Sequence, residues 1–210
     1  RFATQRNLVV ELADMMSGAW TPHRYSSASL SDVRDCVVAN NGQSMYAVNG
    51  NTEQILSYVL NTPYDQSSAV LLYSYTLTNF GGSAVEGITI NPDGDKILVC
   101  GREATPLDAL VQQYNLSTPW DLTTVADGTE WLPSGMYQSD ILNAVRWNGD
   151  GTKLFIIGRA TGNVTTEIQS YYTSTPYSLA GMGTELSQLD VTDPGGGVEA
   201  RTFEISDDGR

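Results

Sequence analysis

An all-β chain of four-stranded antiparallel blades is the fold class this sequence predicts, and three observations predict it. A glycine-bearing turn recurs at Gly42, Gly94, Gly151 and Gly209, at intervals of 52, 57 and 58 residues. An aromatic residue in a Thr-Pro loop keeps the same period at Tyr64, Trp120 and Tyr177, with a degenerate copy at Trp20. Between these markers lie short apolar runs rich in β-branched and aromatic residues, and no segment has a convincing amphipathic helical pattern. Repetition at a fixed period marks a fold assembled from one supersecondary unit.

The clearest copy of that unit spans 85–122. It opens with a first strand, Ile88-Thr89-Ile90, and a turn, Asn91-Pro92-Asp93-Gly94-Asp95. Asn-Gly and Asp-Gly supply the positive φ of a primed hairpin turn, so the turn glycines are read as hairpin tips. The second runs, Met45-Tyr46-Ala47-Val48, Ile97-Leu98-Val99-Cys100 and Leu154-Phe155-Ile156-Ile157, are continuously apolar, as strands covered on both faces are. The third runs, 55–59, 110–114 and 168–172, mix polar with apolar residues and suit positions nearer the outside. Runs at 70–75, 125–132 and 186–191 are outer strands or crossings to the next blade.

One unit of 1–210 is expected. Residues 1–32 form the second half of a blade, 33–84, 85–141 and 142–199 are complete repeats, and 200–210 begin the next. Pairing of the last strand with the first ones would close a ring and remove its open edges, the device of a β-propeller. From Tyr177 round to Trp20 is 53 residues, close to the other intervals, whereas Gly209 round to Gly42 is 43. The arithmetic leaves two architectures: four blades closed head-to-tail, or a fragment of a larger propeller.

The formal charge of -13 argues against a nucleic-acid backbone as partner, because that surface wants clustered Lys and Arg and only Lys96 and Lys153 are lysines. No run of about 18 apolar residues indicates a transmembrane helix. Cys36 and Cys100 fall in strands of neighbouring repeats and read as small buried hydrophobes, although a disulfide between them is open at this level.

Ile90-Asn91-Pro92-Asp93-Gly94 with Ile97-Leu98-Val99, continuing to Asn115-Leu116-Ser117-Thr118-Pro119-Trp120-Asp121-Leu122, resembles the repeats of YVTN and WD40-like β-propellers. More narrowly it resembles repeats of bacteriophage tail and virion proteins and of bacterial surface proteins. That resemblance implies an acidic repeat protein with protein partners in a larger assembly, placed on a virion, outside the cell or at its surface.

Chemistry is expected at one end of the blades. Eight positions before each turn glycine stand Arg34, Glu86, Asn143 and Arg201, and just after the second strands stand Asn51, Arg102 and Arg159. They would share the mouth of a central channel. Guanidinium forks there suit a small carboxylate or an acidic glycan, while the plainer reading pairs Arg34, Glu86, Arg102 and Glu103 across blades. Glu86, Glu103 and Glu167 leave a glycosidase carboxylate pair open. The turn aspartates offer too few oxygens for calcium. His23, the lone histidine, has no nucleophile motif beside it. No cofactor or metal is called for. The sequence therefore leads to a non-enzymatic structural or binding module, the alternatives being a propeller enzyme (lactonase, lyase or glycosidase) and a lectin-like carbohydrate binder.

Overall fold

The computed structural model describes residues 32–104, 108–133, 141–159, 166–191 and 202–205. Expectations placed on 1–31, 193–197, Arg201 and the turn at Gly209 lie outside them. Within them the chain forms three antiparallel four-stranded sheets, each in simple sequence order. Blade 1 holds β1 (Val33–Ala39), β2 (Ser44–Asn49), β3 (Gln54–Leu60) and β4 (Ala69–Thr76). Blade 2 holds β5 (Phe80–Ile90), β6 (Lys96–Glu103), β7 (Ala109–Leu116) and β8 (Val125–Trp131). Blade 3 holds β9 (Ile141–Trp147), β10 (Lys153–Arg159), β11 (Thr166–Thr173) and β12 (Met182–Asp190). The first strands pack side by side, β1 on β5 and β5 on β9, so they face the axis. The fourth strands are the exposed rims and not crossings between blades.

The unbroken apolar runs have a simple cause. In β6, Ile97 and Val99 join the core against blade 1, with Tyr46, Val48 and Ile55. Leu98 and Cys100 point the other way and join the core against blade 3, with Leu142, Val145, Leu154 and Ile156. A strand that faces a neighbouring blade on each side needs apolar residues at every position. The third strands are more buried than their mixed composition suggests. Their polar side chains are hydrogen-bonded inside: Gln112 Oε1 accepts from Asn79 at 2.7 Å, Gln113 Oε1 takes the Leu179 N–H at 3.0 Å, and the Tyr171 hydroxyl donates to Gln169 at 2.7 Å. The Gln113 bond ties blade 2 to blade 3.

The two periodic markers keep step because they touch. Tyr64, Trp120 and Tyr177 each take a left-handed backbone (φ 62, 68 and 54). Each lays its ring on the turn glycine of its own blade and donates its N–H to that glycine's carbonyl, at 2.9, 2.8 and 2.9 Å. The residue after the aromatic, Asp65, Asp121 or Ser178, then caps a short 3-10 turn leading into the fourth strand. The aromatic is thus a latch within a blade.

The turns differ from expectation in two blades. In blade 1, Asn40 and Asn41 both have positive φ (52 and 51), as a primed turn requires. In blade 2 the proline ring holds Pro92 at negative φ, so the turn closes as type I, with Gly94 N–H on Asn91 O at 3.0 Å and only Gly94 left-handed. Blade 3 follows blade 2. Residues 202–205, expected to begin the next blade, are described outside any sheet; the partner strand expected at 2–4 lies outside the described residues.

Close approach of the axial strands depends on Gly87. A Cβ there would lie 2.7 Å from Cys100 Sγ and 2.9 Å from Ala144 Cα, so any side chain would push β9 off β5. Cys36 and Cys100 are both free thiols, and no disulfide joins them.

Candidate functional site

All latches lie at one end of the blades. At the other end stand Val33, Asn49 and Gln54 in blade 1 and Gly101 and Leu110 in blade 2. Ile141, Arg159 and Thr166 hold the same place in blade 3. This is the predicted channel mouth. Arg34 in β1 and Glu86 in β5 meet across the blade boundary, Arg34 Nη1 to Glu86 Oε1 at 3.3 Å, while Arg34 Nε donates to Asp32 Oδ2 at 3.1 Å. The plainer reading therefore holds for Arg34: two carboxylates neutralise it. Glu86 keeps a side chain 14% exposed, a carboxylate in a largely dry wall that solvent still reaches.

Asn143 stands half-buried in β9. Arg159 ends β10 at the same end, opposite Ile141 and Thr166. Asn51 is exposed in the turn after β2, at the same end. Glu167 lies on β11, opposite Asp190 of the rim strand and accepting from Gln169 at 3.3 Å, so the three-glutamate idea loses that member to the outer part of blade 3.

Arg102 behaves differently from Arg34. It ends β6 directly opposite Ala109, and its Nε is buried without a hydrogen-bond partner. Asp108, the residue before Ala109, gives its backbone carbonyl to Glu103 N–H at 2.8 Å while its buried Oδ1 has no partner. A buried donor and a buried acceptor, both ionisable, thus stand unsatisfied at the end of one hairpin.

Beneath the mouth lies a charge pair that sequence reasoning missed. Asp35 Oδ2 receives Arg146 Nη1 at 3.1 Å and the Ile88 N–H at 3.1 Å, and Arg146 donates on to the carbonyls of Ile88 at 3.1 Å and Val145 at 2.9 Å. The side chains are only 16% and 12% exposed. The axial edge of β5 has no further strand to pair with, and this clasp from blades 1 and 3 satisfies both backbone groups of Ile88. Burial by itself would lower the Arg146 pKa, but the charge and hydrogen bond of Asp35 outweigh it and hold the guanidinium above its ordinary value. Glu204 approaches the same Arg146 at 3.6 Å. Five positions before the turn glycines the chain reads Val37, Thr89, Arg146 and Glu204, so the repeat spacing sets Arg146 and Glu204 at one level and gives no sign of Asp35.

The turn carboxylates are absorbed by the turns. Asn91 Oδ1 takes the N–H groups of Asp95 and Lys96 at 3.1 and 2.9 Å, and Asp150 Oδ1 accepts from Thr152 N at 2.9 Å and from Asn148 at 2.8 Å. Among the described residues no group of three or more His, Cys, Asp or Glu is arranged to hold a metal ion.

No family model matches this sequence, and no curated protein matches it. Solved structures do. A Bacteroides fragilis protein to which 6-phosphogluconolactonase activity is ascribed superposes with a TM-score of 0.51 at 11% identity, over 80% of this chain and 40% of its own. The periplasmic gluconolactonase of Pseudomonas aeruginosa superposes with a TM-score of 0.52 at 15% identity, over 78% of this chain and 45% of its own. The chain therefore spans less than half the length of either. These names overturn the expectation of a non-enzymatic structural module on a virion: both proteins are named for lactonase activity and neither for a tail or particle. The reason lies in the motifs. The repeats that suggested phage tails are the glycine–aromatic latches, which hold a blade together and carry no chemistry. The fold reading stands, and the described residues are β-propeller blades of four antiparallel strands.

Proposed function

We propose that this chain belongs to a propeller enzyme that hydrolyses a sugar lactone at the mouth beside Arg34, Glu86, Arg102 and Asn143. The observation that carries the reading is a carboxylate, Glu86, oriented by Arg34 in a mostly dry wall, at the same end as Arg102, whose buried Nε has no hydrogen-bond partner among the described residues. Lactone opening needs a group to take a proton from water and positive charge near the oxygen that becomes negative. In this mechanism Glu86 accepts a proton as water attacks the acyl carbon, and the carbonyl oxygen gathers charge beside Arg102. The ring C–O bond then breaks, the departing alkoxide takes the proton back, and a hydroxy acid leaves. The fold is shared with proteins named as lactonases, which supports the choice of reaction among those open to a carboxylate and an arginine. The periplasmic neighbour and the charge of -13 support a setting outside the cytoplasm.

The test is hydrolysis of glucono-δ-lactone and 6-phosphogluconolactone above the spontaneous rate, in wild type and Glu86→Gln. The variant is expected to fold normally and to lose about a hundredfold or more in kcat/KM. Absence of acceleration for both lactones, or full activity in Glu86→Gln, overturns the proposal; saturable sugar binding without turnover would replace it with a lectin-like role.

A further inference from the structure

We infer that Asn143 binds the acyl oxygen of the substrate at this mouth, set beside Glu86 by a β-bulge that all three axial strands repeat. In β1 the register passes from Val33 opposite Asn49 to Asp35 opposite Val48, and in β5 from Val85 opposite Gly101 to Gly87 opposite Cys100. In β9 it passes from Leu142 opposite Gly158 to Ala144 opposite Ile157. The extra residues are Arg34, Glu86 and Asn143. Side chains alternate along a regular strand, so residues three apart face opposite ways. Here Val33 and Cys36, Val85 and Ile88, and Leu142 and Val145 each share one core. The inserted residue restores the face for its neighbours and is itself turned out of both cores, as a bulge re-aims a side chain. In β9 it leaves Asn143 half-buried between the buried Leu142 and Ala144.

The bulged parts of β5 and β9 are in backbone contact. A Cβ on Gly87, the residue after Glu86, would lie 3.1 Å from Asn143 O and 2.9 Å from Ala144 Cα. Of the three bulge residues, Arg34 is held by Asp32 and Glu86, whereas the Asn143 amide makes no hydrogen bond among the described residues and solvent still reaches it. An amide offers two N–H donors and a carbonyl acceptor, and most half-buried ones are engaged. Arg102 follows Cys100 on the face of β6 toward blade 3, where Cys100 Sγ donates to Leu142 O at 3.7 Å. Its charge therefore lies on the side of Asn143, while the amide supplies the directed N–H. A neutral donor holds a lactone carbonyl oxygen in the ground state and more strongly as that oxygen gains charge. The inference rests on the lactonase reading for the reaction alone; the placement of Asn143 does not.

Calorimetry with glucono-δ-lactam, a carbonyl analogue that resists hydrolysis, reads binding apart from turnover. Wild type is expected to bind it. Asn143→Ala, and the isosteric Asn143→Asp whose carboxylate only accepts, are expected to bind it about tenfold more weakly or worse. With glucono-δ-lactone, kcat in Asn143→Ala is expected to fall about a hundredfold, the effect of losing one donor to a developing oxyanion. A thermal melt of each variant checks folding, and Asn143→Asp keeps the shape of the side chain should the shorter one loosen the bulge. Lactam binding equal in wild type and a folded variant overturns the inference, as does a wild type that binds no lactam. Hydrolysis unaltered in both variants overturns it and leaves the lactonase reading standing, while lactam binding that depends on Asn143 without hydrolysis does the reverse.

Discussion

Gly94→Ala tests the latch that defines each blade. The substitution meets two obstacles. Gly94 has φ +72, where an alanine costs about 1–2 kcal/mol. Its new Cβ would also lie 2.2 Å from Cδ2 and Cε2 of Trp120, so the indole must leave. Trp120 packs on the core shared by blades 1 and 2. If displacement exposes about 100 Å² of ring at about 25 cal/mol per Å², it costs about 2.5 kcal/mol. The sum is about 4 kcal/mol. The check is a double-mutant cycle by urea denaturation with Trp120→Gly, which removes the ring while tolerating that residue's φ of 68. In that background Gly94→Ala should cost only the backbone part, about 1–2 kcal/mol, leaving a coupling of about 2–3 kcal/mol. Equal costs in the two backgrounds, within about 0.5 kcal/mol, would refute the claim that the glycine exists to seat the ring.

Three further outcomes follow from the axis and the turns. Asp35→Ala strands the Arg146 guanidinium and the Ile88 N–H together and should destabilise the chain by about 3–5 kcal/mol in denaturant; a loss under 1 kcal/mol would mean that water replaces the clasp. Cys36, pushed up to about 12 by burial and then by Asp35, and Cys100, raised by its own burial, should resist a thiol reagent at pH 8 and react once urea unfolds the chain; rapid native reaction contradicts the packing. Asp150 is held below the usual carboxylate range by the Thr152 hydroxyl and N–H. Its contribution is therefore present above its unfolded pKa and fades as pH falls through the folded one. The stability gap between wild type and Asp150→Ala should be flat from pH 7 to about 5 and shrink below about pH 4, and a gap that grows on acidification has the wrong sign.

The architecture was legible because a strand between two blades must be apolar at every position, as 97–100 are, and because two markers in contact cannot drift apart in period. What the latch does was less legible: a left-handed tryptophan leaves no trace in composition, and Pro92 had to be weighed against the glycine that follows it to read the turn. The site was legible only as a level. Counting back from the turn glycines placed Arg34 and Glu86 together, but could not tell a neutralised arginine from a lone one, since Asp32 and the seat of Arg102 depend on packing. Asp35 and Arg146 stayed hidden because they belong to different repeats and meet only across the axis. Function was misread where motifs that build blades were taken for motifs that name a protein.

The most direct test of the account is a crystal structure of the chain with gluconate. Ligand density at the end opposite the latches, with the acyl group beside Glu86, is the result expected. Gluconate seated at the latch end or on the rim strands, with the mouth holding only water, would contradict it.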